Sequence, residues 1–119
     1  MSASPHRRLL AWQLARGLSA EAMALTQFLP EDCAALGRQI DRAALATMRA
    51  IVEGANAPAT PERVAAFTMA RGEVTELEAS LDAVELLGLL PTEDLRERAD
   101  RIGDLLAGLV ERAEAGAAT

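Results

Sequence analysis

The residues of this chain with chemistry to offer are carboxylates and guanidinium groups. Glu73-x-x-Glu76 and Glu97-x-x-Asp100 set out two acidic pairs, each spaced one helical turn apart. Carboxylates in that pattern are what a Mg²⁺ site would use, because hard cations take oxygen ligands. Arg38, Arg42 and Arg49 form a second constellation. On a helix they fall within about 40° of one another, a row suited to phosphate oxygens or to a partner's carboxylates. A di-iron centre of the ferritin kind needs two Glu-x-x-His pairs, and His6 is the only histidine. Cys33 stands alone, so no internal disulfide is expected, and with His6 near the N terminus it reads as a small apolar residue and not a nucleophile. No metal or cofactor is expected.

The two acidic pairs resemble the metal-binding signature of the all-α nucleotide pyrophosphohydrolases, whose carboxylates hold Mg²⁺ ions that polarise a nucleoside triphosphate for attack by water. The doubled Glu of that family's first motif is missing, since Gly72 precedes Glu73. Glu73 and Glu76 also fall roughly 70–130° from the apolar seam of their helix, so the pairs are expected to be a solvated acidic flank. Around the arginines no aromatic residues interleave, which removes base stacking. The net charge of −6 opposes a surface built mainly to grip nucleic acid. Leu45, Met48 and Val52 lie beside the arginines on the side turned away from the helix's apolar stripe. An outward mixture of Leu, Met, Val and Arg, poor in Lys and Glu, has the composition of a subunit interface. Glu62, Glu73 and Glu76 then supply an acidic flank able to receive a neighbour's arginines.

The elements that must position these residues are helices. Half of the 119 residues are hydrophobic, only 3% are aromatic, and Leu, Ala, Val and Met dominate, which favours helix over sheet. Four helices are expected, over about 5–29, 31–54, 61–88 and 92–114, in one domain spanning 1–119. Ser4-Pro5 and Thr60-Pro61-Glu62 are cap-then-Pro starts, Pro30 stops the first helix, Gly54 ends the second, and Thr92 caps the fourth. Leu10, Leu14, Leu18, Leu25 and Leu29 mark the face of helix 1, with Trp12 to the side; Leu36, Ile40, Ala43/Ala44, Thr47 and Ile51 mark that of helix 2. Phe67, Ala70, Val74, Leu77, Leu81 and Val84 form a heptad seam on helix 3. Leu95, Ala99, Ile102, Leu105/Leu106, Leu109 and Ala113 repeat the pattern on helix 4, and the Ala/Gly/Thr tail beyond is expected to fray. Three short connections return each helix antiparallel beside the last, so the fold class is an all-α, up-down-up-down four-helix bundle. No stretch approaches the ~20 apolar residues of a membrane span, and His-Arg-Arg followed by a short apolar run broken by Gln13 and Arg16 does not make a secretory signal. A cytoplasmic protein without a membrane partner is expected.

Several short segments, taken in order, resemble one family. They are Ala11-Trp12-Gln13-Leu14-Ala15, Phe28-Leu29-Pro30, Gln39-Ile40-Asp41-Arg42-Ala43-Ala44, Ile51-Val52-Glu53-Gly54, Ala70-Arg71-Gly72 with Glu76-Leu77, and Leu87-Gly88-Leu89. The chain looks like the small four-helix bundle proteins first noticed as products of intervening sequences within large-subunit rRNA genes. The accessory variability determinant of diversity-generating retroelements belongs to the same family. Its Asn-Ile-Ala-Glu-Gly motif departs here, with Ala50 at the Asn position, and Ala-Asn-Ala-Pro-Ala replaces the basic, Gly-rich stretch after Glu53-Gly54. Ala46, Thr47 and Glu73 likewise stand where Ser, Ile and Ser are usual.

The resemblance implies a homo-oligomer, with a ring-like homopentamer favoured. In the retroelement branch it implies nucleic acid and a reverse transcriptase as partners, held by a strongly basic surface that this acidic chain lacks. Trp12, Pro30, Gln39, Arg42, Glu53, Gly54 and Glu76 are the positions matching the family's motifs. Of these, Arg42 and Glu53 are expected to order helix ends and interfaces and not to do chemistry. The expectation is therefore a non-enzymatic, oligomeric scaffold or adaptor whose Arg38, Arg42, Leu45, Met48, Arg49, Val52, Glu62, Glu73 and Glu76 meet another copy. Two alternatives stand beside it: a nucleic-acid or reverse-transcriptase accessory protein using the arginine row, and the Mg²⁺-dependent pyrophosphohydrolase.

Overall fold

A computed structural model describes residues 4–118. It contains a 3₁₀ turn, Pro5–Arg8, then α1 (Leu10–Thr26), a second 3₁₀ turn, Glu31–Cys33, and α2 (Ala34–Asn56), α3 (Thr60–Leu86) and α4 (Glu93–Ala118). There is no strand among the described residues. In this all-α fold α2 packs between α1 and α3, α3 between α2 and α4, and α1 meets α4 along the sparsest of the four seams. No helix among the described residues is long and apolar enough to cross a membrane.

The bounds of the helices depart from the sequence expectation where a local signal was overridden. Ser4-Pro5 opens only the 3₁₀ turn, because Leu9 is extended (φ −77°, ψ 129°) and α1 starts anew at Leu10. The turn stays docked: His6 meets Trp12 edge-on at 4.6 Å between ring centroids, and Gln13 Nε2 donates to the Arg7 carbonyl at 3.0 Å. At the start of α3, Ala59 takes the cap position and Thr60 is already helical, with no side-chain cap bond. Gly54 does not end α2, which continues to Asn56. The C-terminal tail does not fray at Ala113 but stays helical to Ala118.

The core follows the apolar periodicity on three helices. Ile40, Ala43, Ala44, Thr47 and Ile51 of α2 are buried, as are all six seam residues of α3 and Leu95, Ala99, Ile102 and Leu106 of α4. On α1 the expected leucine face is wrong by one position. Its buried stripe is Ala11, Ala15, Leu18, Ser19 and Ala22, while Leu14 and Leu25 are half-buried and Leu10 is exposed. Small residues let α1 lie close to α2, where Ser19 Oγ donates to the Ala44 carbonyl and Thr26 Oγ1 to Asp41 Oδ1. Leu18 fills the contact as expected, while Leu10, Leu14 and Leu25 flank it.

Two devices fix the helix connections that hold α2, α3 and α4 in place. Gly54 faces Phe67, where an added Cβ would stand only 2.6 Å from ring carbons Cδ1 and Cε1. The glycine is therefore a close-approach residue between α2 and α3. At the end of α3, Gly88 has φ +71°. The Leu89 amide donates to Val84 O and the Gly88 amide to Glu85 O, the double bond pattern of a Schellman stop. Thr92 then occupies the start of α4, but its hydroxyl donates to the Leu81 carbonyl at 2.7 Å instead of capping helix amides.

Candidate functional site

The sequence-selected residues gather where α2 and α3 lie side by side. Arg42, on the outward side of α2, donates from Nε to Gln39 Oε1 at 3.0 Å, from Nη1 to Glu73 Oε2 at 2.9 Å and from Nη2 to Glu76 Oε2 at 2.6 Å. Three of the motif positions, Gln39, Arg42 and Glu76, thus form one cluster with Glu73. The guanidinium fork explains the arrangement: its planar donors span two carboxylates one turn apart on the facing helix. These hydrogen bonds, to Glu73 first and then Glu76, raise the Arg42 pKa above its already high ordinary value. Glu76 is held below the usual carboxylate range by hydrogen bonding with Glu73 and then with Arg42.

Glu73 and Glu76 take an arginine of their own chain, because α2 and α3 adjoin and Arg42 reaches across the seam. The cluster is also half-open, with the Arg42 side chain 48% and that of Glu76 58% exposed. It clamps two helices, with the Glu73 side chain the least exposed of the three.

Beside the clamp, a shallow cavity of ≈ 530 Å³ is lined by Arg42, Leu45, Arg49, Glu53, Met69 and Glu73, among others. A second cavity of ≈ 300 Å³ shares Glu53 and Met69 and continues to Glu62. Leu45 and Met69 are exposed large apolar residues, 48% and 61% accessible. Met69 was not anticipated from sequence; it is an apolar side chain off the α3 seam between buried Phe67 and Ala70, and that off-seam placement was its available signal. Met48 corrects the reading in the other direction. It packs partly against the core instead of standing wholly outward, and Val52 is half-buried. Arg38 lies nearer the start of α2, by Pro30 and Asp41. Neither Arg38 nor Arg49 takes part in an ion pair among the described residues.

The remaining motif positions do other work. Trp12 pins the N-terminal turn, Pro30 leads into the second 3₁₀ turn, and Gly54 admits Phe67. Among the described residues no group of three or more His, Cys, Asp or Glu side chains could hold a metal ion. Glu73 and Glu76 are turned to Arg42 on α2, whereas Asp100 borders the opposite groove between α3 and α4. A further polar cluster was not anticipated from sequence. Arg96 of α4 pairs with Glu85 and with Asp82 of α3 and donates from Nε to Thr92 Oγ1, locking the α3–α4 turn. Arg98 bridges to Glu21 of α1.

The family model described as 23S rRNA-intervening sequence protein matches residues 7–110 of the chain. No curated protein matches it.

Proposed function

The chain belongs to the 23S rRNA-intervening sequence protein family, and from that premise we propose that it is a non-enzymatic, homo-oligomeric helical-bundle scaffold, with a pentamer as the favoured assembly. Its helices run up-down-up-down, a course supported by the cross-helix pairs Thr26 with Asp41, Gly54 with Phe67, and Glu85 with Arg96. The outward side of α2 is the surface that meets another copy. One observation carries this reading: Leu45 is a large apolar side chain left 48% accessible between Arg38, Arg42 and Arg49, over an open cavity shared with exposed Met69. Apolar residues ringed by arginine are the composition of a contact patch and not of an ordinary solvated face.

Light scattering on the full chain tests it. The wild-type protein is expected at a multiple of 12.6 kDa, five times that mass for the pentamer. Leu45→Glu places an unpaired carboxylate at the centre of the contact and shifts the protein to the monomer mass. A wild-type monomer ends the scaffold reading, and an unchanged mass in Leu45→Glu ends the placement of the contact on the outward side of α2.

The unpaired Arg38 and Arg49 favour a second reading, in which this face serves a nucleic acid, or a reverse transcriptase that holds one. Binding of RNA would then weaken steeply as salt rises. Absence of such binding leaves the scaffold alone.

A further inference from the structure

The charge of this chain is divided between its two halves. From Ser4 to Ala59, covering α1 and α2, six arginines stand against five carboxylates; from Thr60 onward, covering α3 and α4, six arginines stand against thirteen. The imbalance comes to a point at a groove of ≈ 380 Å³ between α3 and α4. Its rim carries Glu78, Asp100 and Asp104 against the single guanidinium of Arg71. None of these four takes part in an ion pair among the described residues. Its floor is kept low by Ala99 and Gly103. Gly103 is not required there by packing within the chain, since an added Cβ would sit at an ordinary 3.8 Å from Val74 Cγ1. In a helix interior a glycine costs about 1 kcal/mol relative to alanine, so its lack of an internal reason points outward.

On the other half, Arg38, Leu45 and Arg49 form the outermost ridge of α2, all three exposed. Leu45 and Arg49 are four residues apart, about 6 Å along the helix, and so are Asp100 and Asp104. Ridge and groove therefore match in sign, in spacing and in relief: an apolar knob beside a cation faces a small-residue floor beside anions.

Resting on the scaffold reading above, we propose that the α2 ridge of one copy docks into the α3–α4 groove of the next. Leu45 lies over Ala99 and Gly103, and Arg49 is neutralised by Asp100 and Asp104. The two surfaces are different patches of the same chain, so the contact is head-to-tail, the kind that closes into a ring and not into a two-fold dimer. Each copy offers one ridge and one groove, and an arginine ridge of the nearly neutral half meets the acidic groove of the other half at every joint.

The test is a charge-reversal cycle on the full chain, followed by light scattering and sedimentation equilibrium, with circular dichroism to show that each variant keeps its helices. Arg49→Glu and Asp104→Arg each place like charges together and are expected to weaken association at least about tenfold. The double variant restores an opposite pair at every joint and recovers most of that loss. Association unchanged in Asp104→Arg, or a double variant weaker than both singles, overturns the head-to-tail docking. If Leu45→Glu dissociates the assembly while Asp104→Arg does not, the ridge is an interface but the groove is not its partner. A wild-type monomer defeats the scaffold reading and this docking together. RNA retained by the ridge with Asp104→Arg neutral assigns the arginines to nucleic acid and overturns the docking.

Discussion

Arg42 shows how one side chain can turn two helices into a unit. Its three donors reach Gln39 on its own helix and Glu73 and Glu76 on the next. The pH dependence of that clamp follows from Glu76, whose pKa is lowered from 4.5. The native state therefore favours the ionised carboxylate. The contribution is present above the ordinary value and is lost as pH falls through the lowered native one. Arg42, raised above its ordinary value, contributes at every pH below that value and is lost only in strong base, on passing above the raised one, so acid is the sensitive side. Arg42→Ala is expected to lower stability near neutrality by a small, salt-screened amount. The gap from wild type closes as the pH is taken below 4.5. Urea melts of both proteins across the acid range check this; a gap of constant size would show that the carboxylates are not the source.

At the scale of elements, the α2–α3 seam is set at one end by Arg42 and at the other by the missing side chain at Gly54. Gly54→Ala would push a methyl to 2.6 Å from the Phe67 ring, which is wholly buried, so ring or helix must shift. Overpacking of this kind costs about 1–3 kcal/mol, against a helix-propensity gain of at most about 1 kcal/mol, so the variant is expected to be less stable. Phe67→Leu in the same chain removes the clash, and the double variant should lose less than the two singles added together. Additive losses in thermal or denaturant unfolding would refute the close-approach role.

This seam also marks how far the sequence could be read. The period of Phe67 to Val84 located the α3 core completely, because large side chains at heptad spacing leave a single face to bury. Gly54 looked like a helix stop, since the reason for it lies thirteen residues away in Phe67 and no local rule contains that ring. Leucines misplaced the α1 face because burial there is decided by how close α2 comes, which favours Ala11, Ala15 and Ala22. Arg42 and Glu76 were recognisable as site residues, but not as each other's partners, until the helices were set side by side.

In the whole molecule, an elongated body of 51 × 31 × 21 Å carries nearly balanced charge on α1 and α2 and a strong excess of carboxylates on α3 and α4. The four seams are not equal. α2–α3 has the arginine clamp and the Gly54 contact, and α3–α4 has Arg96 and the Gly88 stop. α1, the shortest of the four α-helices, buries mainly alanines and meets α4 along the sparsest seam, which includes the Arg98–Glu21 bridge. Apolar burial scales with the area removed from water, so α1 contributes least to its own retention. The sparse α1–α4 seam therefore acts as the open edge of a book whose spine lies elsewhere: the first leaf to swing free should be α1, with α2 to α4 still bound together. Native-state hydrogen exchange would register this as amide protons of Leu10–Thr26 trading with solvent through a partial opening, before those of α2 and α3. If all four helices exchange together, the molecule has no such leaf and opens only as a whole.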